Sequence, residues 1–302
     1  MTDISACTEL FFKLFGTGEK PELFFAPGRV NLIGEHIDYN GGYVFPAALE
    51  LGNYVLARIN GTNTVRLAAN DLSGLIVSCG RDALETKKGK NWGSYQLGVF
   101  DELKKLGIPV AGCDMLFFST LPFGAGLSSS ASIEVATAVA ALGLCGAEMS
   151  MPEVALLCQR AENRFVGVNC GIMDQYACAN GRAGHGMLLD CATLCCEHVP
   201  LNMAGYRIVI GNTNKKRGLA DSKYNERRGE CELALELFRE KKPGLKNLCE
   251  LSSGELEALL PLISDKNVQK RVIHVVTENE RVHSSVSLLK KGDIAGFGRL
   301  LN

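Results

Sequence analysis

The stretch at residues 121–132, Leu-Pro-Phe-Gly-Ala-Gly-Leu-Ser-Ser-Ser-Ala-Ser, constrains this chain more than any other. It joins the apolar run 115–118, which predicts a short buried strand, to an Ala/Val-rich segment at 131–144, which predicts a helix. Strand, glycine-rich loop and helix in that order make a place to hold phosphate. Gly124 and Gly126 let the backbone turn tightly and approach a ligand. The serines stand at the helix start, where unpaired N–H groups and the positive dipole end favour an anion. Their hydroxyls can equally cap the helix or ligate a cation. Taken alone, the loop is as well read as a serine-capped helix after a glycine turn, so the rest of the chain must decide.

A length of 302 residues predicts about two domains and a core that needs no staples. Lys plus Arg (32) nearly balances Asp plus Glu (33), so no bulk charge points to nucleic acid or a membrane surface. The 12 cysteines are scattered, with no Cys-x-x-Cys pair and no signal peptide, which predicts reduced thiols and a cytoplasmic setting. Cys191, Cys195, Cys196 and His198 are zinc-ligand types at poor spacing and read as strand and turn. The apolar segment after the serine loop falls short of the roughly 20 residues that span a bilayer.

Residues 4–16 space apolar groups at helical intervals and end on Gly16. Within 23–42, Pro27 and Gly28 are expected to break a first strand. Arg29, Glu35, His36 and Asp38 then place four polar side chains in an otherwise apolar stretch. Such groups must pair or face a cleft, because burying them unpaired is costly. Ion pairs between strands, a binding cleft and a Glu-His-x-Asp metal site all fit that pattern. Strands are expected at 43–49, 54–59 and 64–69, separated by Gly-Asn and Asn-Gly turns, in a mostly antiparallel sheet. Helices are expected at 92–106, where Trp92 reads as core, and at 152–166, with Glu162 and Arg164 beside the apolar stripe. Asp174 opens a further apolar segment and can be simply a helix-start acid. Residues 186–196 read as strand and turn, and 206–210 as a buried strand. A solvated basic run follows at 215–217, then helices at 222–241, 255–262 and 267–290, and the start of another at Asp293. The boundary between two domains, 1–195 and 196–302, is expected near Cys195.

Residues 27–40, Pro-Gly-Arg-Val-Asn-Leu-Ile-Gly-Glu-His-Ile-Asp-Tyr-Asn, resemble the galactokinase signature nearly letter for letter. The serine loop resembles the second motif of the wider GHMP superfamily of small-molecule kinases, which includes homoserine, mevalonate and phosphomevalonate kinases. Residues 171–175, 212–214 and 220–225 are further galactokinase-like blocks, so the likeness runs from about Phe24 to Asn302. It implies an α+β, two-domain GHMP-kinase-like fold. The N-terminal domain would be like ribosomal protein S5 domain 2, with a left-handed β-α-β crossover, and the C-terminal domain ferredoxin-like and incomplete.

The same resemblance implies ATP-dependent phosphorylation of the anomeric hydroxyl of galactose to galactose 1-phosphate, with ATP and Mg2+ as cofactors. It assigns Asp174 and Arg29 to catalysis, and Glu35, His36, Asp38, Gly171 and Tyr224 to the sugar. Gly124, Ala125, Gly126, Leu127, Ser128, Ser129 and Ser130 would surround ATP, with Ser130 and Glu162 on the metal. These roles suit phosphoryl transfer, which is chiefly positioning and charge stabilisation. The implied partners are the two small substrates, without nucleic acid or membrane, for a monomer or weak oligomer. A non-catalytic galactose and ATP-binding regulator, or a kinase for N-acetylgalactosamine, is the alternative. The loop lacks the lysine of a Walker A motif, and Ser129 stands where a dinucleotide fingerprint needs glycine. A third, glycine-rich motif of the superfamily is not found in these residues, which leads to the expectation that they are a fragment of a longer protein.

Overall fold

The computed structural model of the chain describes residues 3–71, 75–89, 91–122, 124–203, 205–213 and 220–301. The elements run α1 (Ile4–Phe15), β1 (Glu22–Asn31), β2 (Tyr43–Val44), β3 (Pro46–Ile59), β4 (Thr64–Ala69), β5 (Val77–Gly80) and α2 (Ser94–Lys105). They continue with β6 (Cys113–Ser119), α3 (Ser129–Cys145), α4 (Met151–Ala161), α5 (Met173–Asn180), β7 (His185–Asp190) and β8 (Cys196–Pro200). The last four are α6 (Ala220–Arg239), α7 (Ser253–Leu259), α8 (Lys266–Lys290) and α9 (Ile294–Leu300). Contacts group the chain into two compact units, each drawn from several stretches. One takes residues 1–29, 49–170 and 174–180, and the other takes 30–48, 171–173 and 181–302.

The first unit is built on a five-stranded sheet in the order β1-β3-β6-β4-β5. Strand β6 runs antiparallel to β3 and parallel to β4, and β4 is antiparallel to β5. Both faces of β6 are covered, which is why its residues 115–118 are continuously apolar rather than alternating. Met115 and Phe117 pack with Leu97, Phe100, Val135 and Leu157 from α2, α3 and α4. Leu116 and Phe118, one residue out of phase, pack with Phe11 and Phe15 of α1. Helix α3 carries apolar groups on nearly every side, as its composition predicts, and is buried along most of its length. On the α1 side, fully buried Asp114 of β6 accepts from Arg66 at 2.7 and 2.8 Å, from Asn60 at 2.9 Å and from Arg58 at 3.4 Å. Arg58 also donates to the Phe15 and Gly16 carbonyls, which satisfies the C-terminal end of α1.

Four local expectations fail here. Strand β1 runs straight through Pro27 and Gly28; it lies at the sheet edge, where the absent proline N–H costs no ladder bond. Gly52-Asn53 is no turn, because β3 is one strand of 14 residues. Gly52 is glycine for closeness: a Cβ there would lie 2.6 Å from the Phe25 ring and against the Ala26 carbonyl. The helix expected to reach Val166 ends at Ala161, and a single π-helical turn covers Glu162–Val166. Residues 206–210 form no strand; Tyr206, Ile208, Val209 and Ile210 are exposed. An apolar run becomes a strand only with a ladder partner, and no described segment provides one. The basic run at 215–217 and the Asn214 of the 212–214 block lie outside the described residues.

The second unit combines a three-stranded antiparallel sheet, β2-β7-β8, with helices α6 to α9. Helix α8 buries the stripe Val268, Val272, Val275, Val276, Val282 and Val286, with helical spacing. The carboxylate of Glu278 on the same helix accepts the Gly34 and Glu35 N–H groups at 2.8 and 3.3 Å, and Asn279 accepts the Tyr43 N–H at 2.8 Å. The loop from Gly34 to Tyr43 is thereby fastened at both ends to one helix. All 12 cysteines are unpaired. Among the described residues no three His, Cys, Asp or Glu side chains gather as a metal cage, and no helix is long and apolar enough to cross a membrane.

Candidate functional site

In the first unit, the loop between β6 and α3 has a shape its glycines allow. Gly124 and Gly126 adopt φ of 68° and 74°. Ser128 also lies in the left-handed region, at φ 57°, a conformation that costs a non-glycine residue about 1–2 kcal/mol. It occupies the N-cap position of α3, yet its side chain makes no cap bond. Its hydroxyl instead donates to Asp174 Oδ2 at 2.6 Å. The loop is pinned from below by Asn53, whose amide donates to the Ser129 carbonyl at 3.1 Å, and by Ser132, whose hydroxyl donates to the Ala26 carbonyl at 2.8 Å. Of the serines, Ser128 is buried, Ser130 half-buried and Ser129 exposed.

Arg29 connects this loop to Asp174. Its Nε and Nη2 donate to Asp174 Oδ1 at 3.0 and 2.6 Å, and its Nη1 donates to the Gly126 carbonyl at 2.9 Å. The Arg29 backbone N–H donates to the Leu127 carbonyl at 3.2 Å. The guanidinium is largely buried, while the Asp174 side chain keeps 32 % of its surface exposed. The carboxylate thus has one oxygen on the arginine and the other on the serine, and still faces solvent. Its place in the first turn of α5 is the helix-start position the spacing predicts.

Behind the loop lies a cluster in which sequence reasoning singled out Glu162 but missed Glu134 and Gln175. The Gln175 side-chain amide donates from one nitrogen to Glu162 Oε2 at 2.7 Å and to Glu134 Oε2 at 3.2 Å. Glu134 and Gln175 are completely buried and Glu162 nearly so. Burial pushes the Glu134 carboxyl well above the usual carboxylate range, and the charge of Glu162 adds to the shift. Glu134 Oε1 and Gln175 Oε1 are buried without a protein hydrogen-bond partner. The signal was available: Glu134 is the one charged residue in α3.

The second unit gathers the other predicted residues. Gly171 is in contact with Asp38, and a Cβ on it would overlap the Asp38 carboxylate. The Gly171 N–H donates to the Tyr224 hydroxyl at 3.2 Å. The rings of Tyr224, Tyr39 and His36 form a triangle, with centroids 5.3, 5.7 and 6.1 Å apart. His36 sits at φ 64°, held in that conformation by Asn40, whose amide donates to its carbonyl at 3.1 Å. Glu35 is exposed and accepts from the Asn31 amide at 3.1 Å. Tyr39 and Arg227 belong to this cluster and were not singled out by sequence; a tyrosine one residue past Asp38 and an arginine three past Tyr224 were the available signals.

The galactokinase galactose-binding signature matches residues 9–59 and the GHMP kinases N terminal domain matches residues 94–182. The galactokinase of Fusobacterium nucleatum is 46 % identical over 294 residues, which cover 97 % of this chain and 76 % of the relative. That of Clostridium acetobutylicum is 47 % identical over 282 residues, covering 93 % and 72 %. The crystal structure of Lactococcus lactis galactokinase complexed with galactose superimposes with a TM-score of 0.96 at 40 % identity, covering all of this chain and 78 % of that one. The chain therefore spans about three quarters of the length of these relatives.

Proposed function

The chain belongs to the galactokinase family, and from that premise we propose that it catalyses ATP-dependent phosphorylation of the anomeric hydroxyl of galactose, yielding galactose 1-phosphate and ADP. The observation that carries the assignment of roles is the Arg29–Asp174–Ser128 constellation at the mouth of the glycine-rich loop. Asp174 orients the sugar hydroxyl and accepts its proton, a contribution typically worth about 10²–10⁴ in rate. Arg29, always charged, holds one oxygen of that carboxylate by two converging donors and stabilises negative charge as the phosphoryl group passes. Residues 124–130 provide backbone N–H groups and hydroxyls for the phosphates of ATP. Glu35, His36, Asp38, Gly171 and Tyr224 bind the sugar.

The residues present suit Mg2+. Glu162, nearly buried beside the protonated Glu134, offers carboxylate oxygen, the hard donor this ion prefers. Glu162 and the Ser130 hydroxyl would hold it, with phosphate oxygens and water completing the shell. When bound, the ion neutralises charge on the phosphates. In the same reading the first domain extends to residue 195 and resembles ribosomal protein S5 domain 2, and the second, from 196, is ferredoxin-like. The unpaired thiols favour a cytoplasmic setting.

A coupled ADP-release assay over a panel of sugars tests the proposal. Turnover with galactose, reduced at least 100-fold in a folded Asp174→Asn variant, is the expected result. Turnover only with N-acetylgalactosamine would reassign the substrate, and sugar binding without any turnover would make the protein a regulator.

A further inference from the structure

Arg227 of α6 points at the sugar loop without belonging to any assigned role. Its Nη1 lies 3.0 Å from His36 Nε2, and His36 Nδ1 lies 3.1 Å from the Tyr39 hydroxyl. A guanidinium has only donors. The nitrogen facing it must therefore offer a lone pair, and a neutral imidazole carries its single hydrogen on the other nitrogen. Were Tyr39 the donor to Nδ1, the hydrogen would sit on Nε2 and meet the arginine donor head-on. The chain of donation consequently runs Arg227 to His36 to Tyr39, and the Tyr39 hydroxyl keeps its own hydrogen.

We propose that Arg227 is a positioning residue: it fixes His36 as the neutral Nδ1–H tautomer, so that Tyr39 presents a hydroxyl hydrogen as a donor to an oxygen of the bound sugar. The inference deepens the sugar-binding role given to His36 and rests on it. The surroundings agree. Burial first, then the charges of Arg227, His274 and Arg271, pull the His36 pKa down from 6.5 to about 4, so the ring is neutral throughout the physiological range. Arg271 is itself paired with Glu230 at 2.8 Å, and His274 Nε2 contacts the Glu35 carbonyl at 2.8 Å. Burial raises the Tyr39 hydroxyl, with the thiol of Cys231 and the carboxylate of Asp38 adding to the shift, so the phenol stays protonated. The ring packs against those of Tyr39 and Tyr224, with centroids 6.1 and 5.7 Å away.

Two measurements test this. Long-range ¹H–¹⁵N correlation spectra of the unliganded native protein should show His36 protonated on Nδ1, with no titration until the pH falls to about 4. A hydrogen on Nε2, or titration near 6.5, overturns the proposal without reference to any substrate. In Arg227→Gln, whose fold is checked by circular dichroism, the His36 titration should move toward the ordinary value. The glutamine amide can accept as well as donate, so the Nε2–H tautomer becomes accessible, and the KM for galactose should rise about tenfold at little-changed kcat, the worth of one hydrogen bond. Arg227→Lys, which can only donate, should recover the native KM. An unmoved titration in a folded Arg227→Gln variant overturns the proposal. A shifted titration with an unmoved KM leaves the tautomer standing and overturns the sugar role of His36 instead.

Discussion

The hydroxyl of Ser128 donates to Asp174 Oδ2 at 2.6 Å from a backbone held at φ 57°. A serine in that conformation is strained, and the bond it makes is to a carboxylate 46 positions away rather than to the helix it precedes. The strain is explained if the loop is shaped for Asp174. Ser128→Ala should keep the strain and lose the bond, lowering kcat by about tenfold, the worth of one hydrogen bond to a charged group. Asp174→Asn should lose at least 100-fold while melting within a few degrees of the native protein. Equal losses in the two variants, seen in the ADP-release assay, would show that the serine is as essential as the carboxylate.

The Glu134 carboxyl gives stability a pH dependence of defined sign. Its folded pKa is raised well above the ordinary 4.5, so between those values the folded chain holds a proton that the unfolded chain has lost. Stability attributable to this group therefore falls as pH rises above about 4.5. Glu134→Gln should remove that slope. Melting curves without added metal, taken at pH 5 and pH 8, should show the variant gaining on the native protein at the higher pH; parallel curves would contradict it.

Gln175 donates to both buried glutamates from one nitrogen. Gln175→Leu should leave both without that donor and destabilise the first unit by about 2–4 kcal/mol. It should also weaken Mg2+ binding in the presence of ATP, measured by calorimetry on the folded fraction. Unchanged affinity would separate Glu162 from the metal.

Asp114 holds Arg58 and Arg66 on the buried α1 side of the sheet. Asp114→Ala would strand two guanidinium groups, one of them 8 % exposed, and should cost about 3–5 kcal/mol in urea denaturation. A loss below 1 kcal/mol would mean that water replaces the carboxylate.

Gly171→Ala would push a Cβ into the Asp38 carboxylate. The expected result is a KM for galactose raised at least tenfold with the melting temperature nearly unchanged, because Asp38 is half-buried and can swing aside. A variant with native KM would remove Asp38 from the sugar site.

What the sequence determined by itself was local and periodic. The 3.6-residue spacing marked α1, α2, α6 and α8, the unbroken apolar run marked β6, and the paired glycines marked the loop at 124–126. The resemblance to galactokinases implied roles for Arg29, Asp174 and Glu162 that residue type and spacing alone left open. The tertiary structure decided the rest. It kept β1 whole across Pro27, since only an edge strand tolerates a missing donor, and it left 206–210 exposed, since a strand needs a partner the run itself cannot specify. It brought Ser128 to Asp174 and Gln175 between Glu134 and Glu162, pairings separated by 13 to 46 positions that no local pattern encodes. Propensity and periodicity act over a few residues. The environment that turns a serine from a helix cap into a carboxylate's partner is made by segments that meet only when the chain has folded.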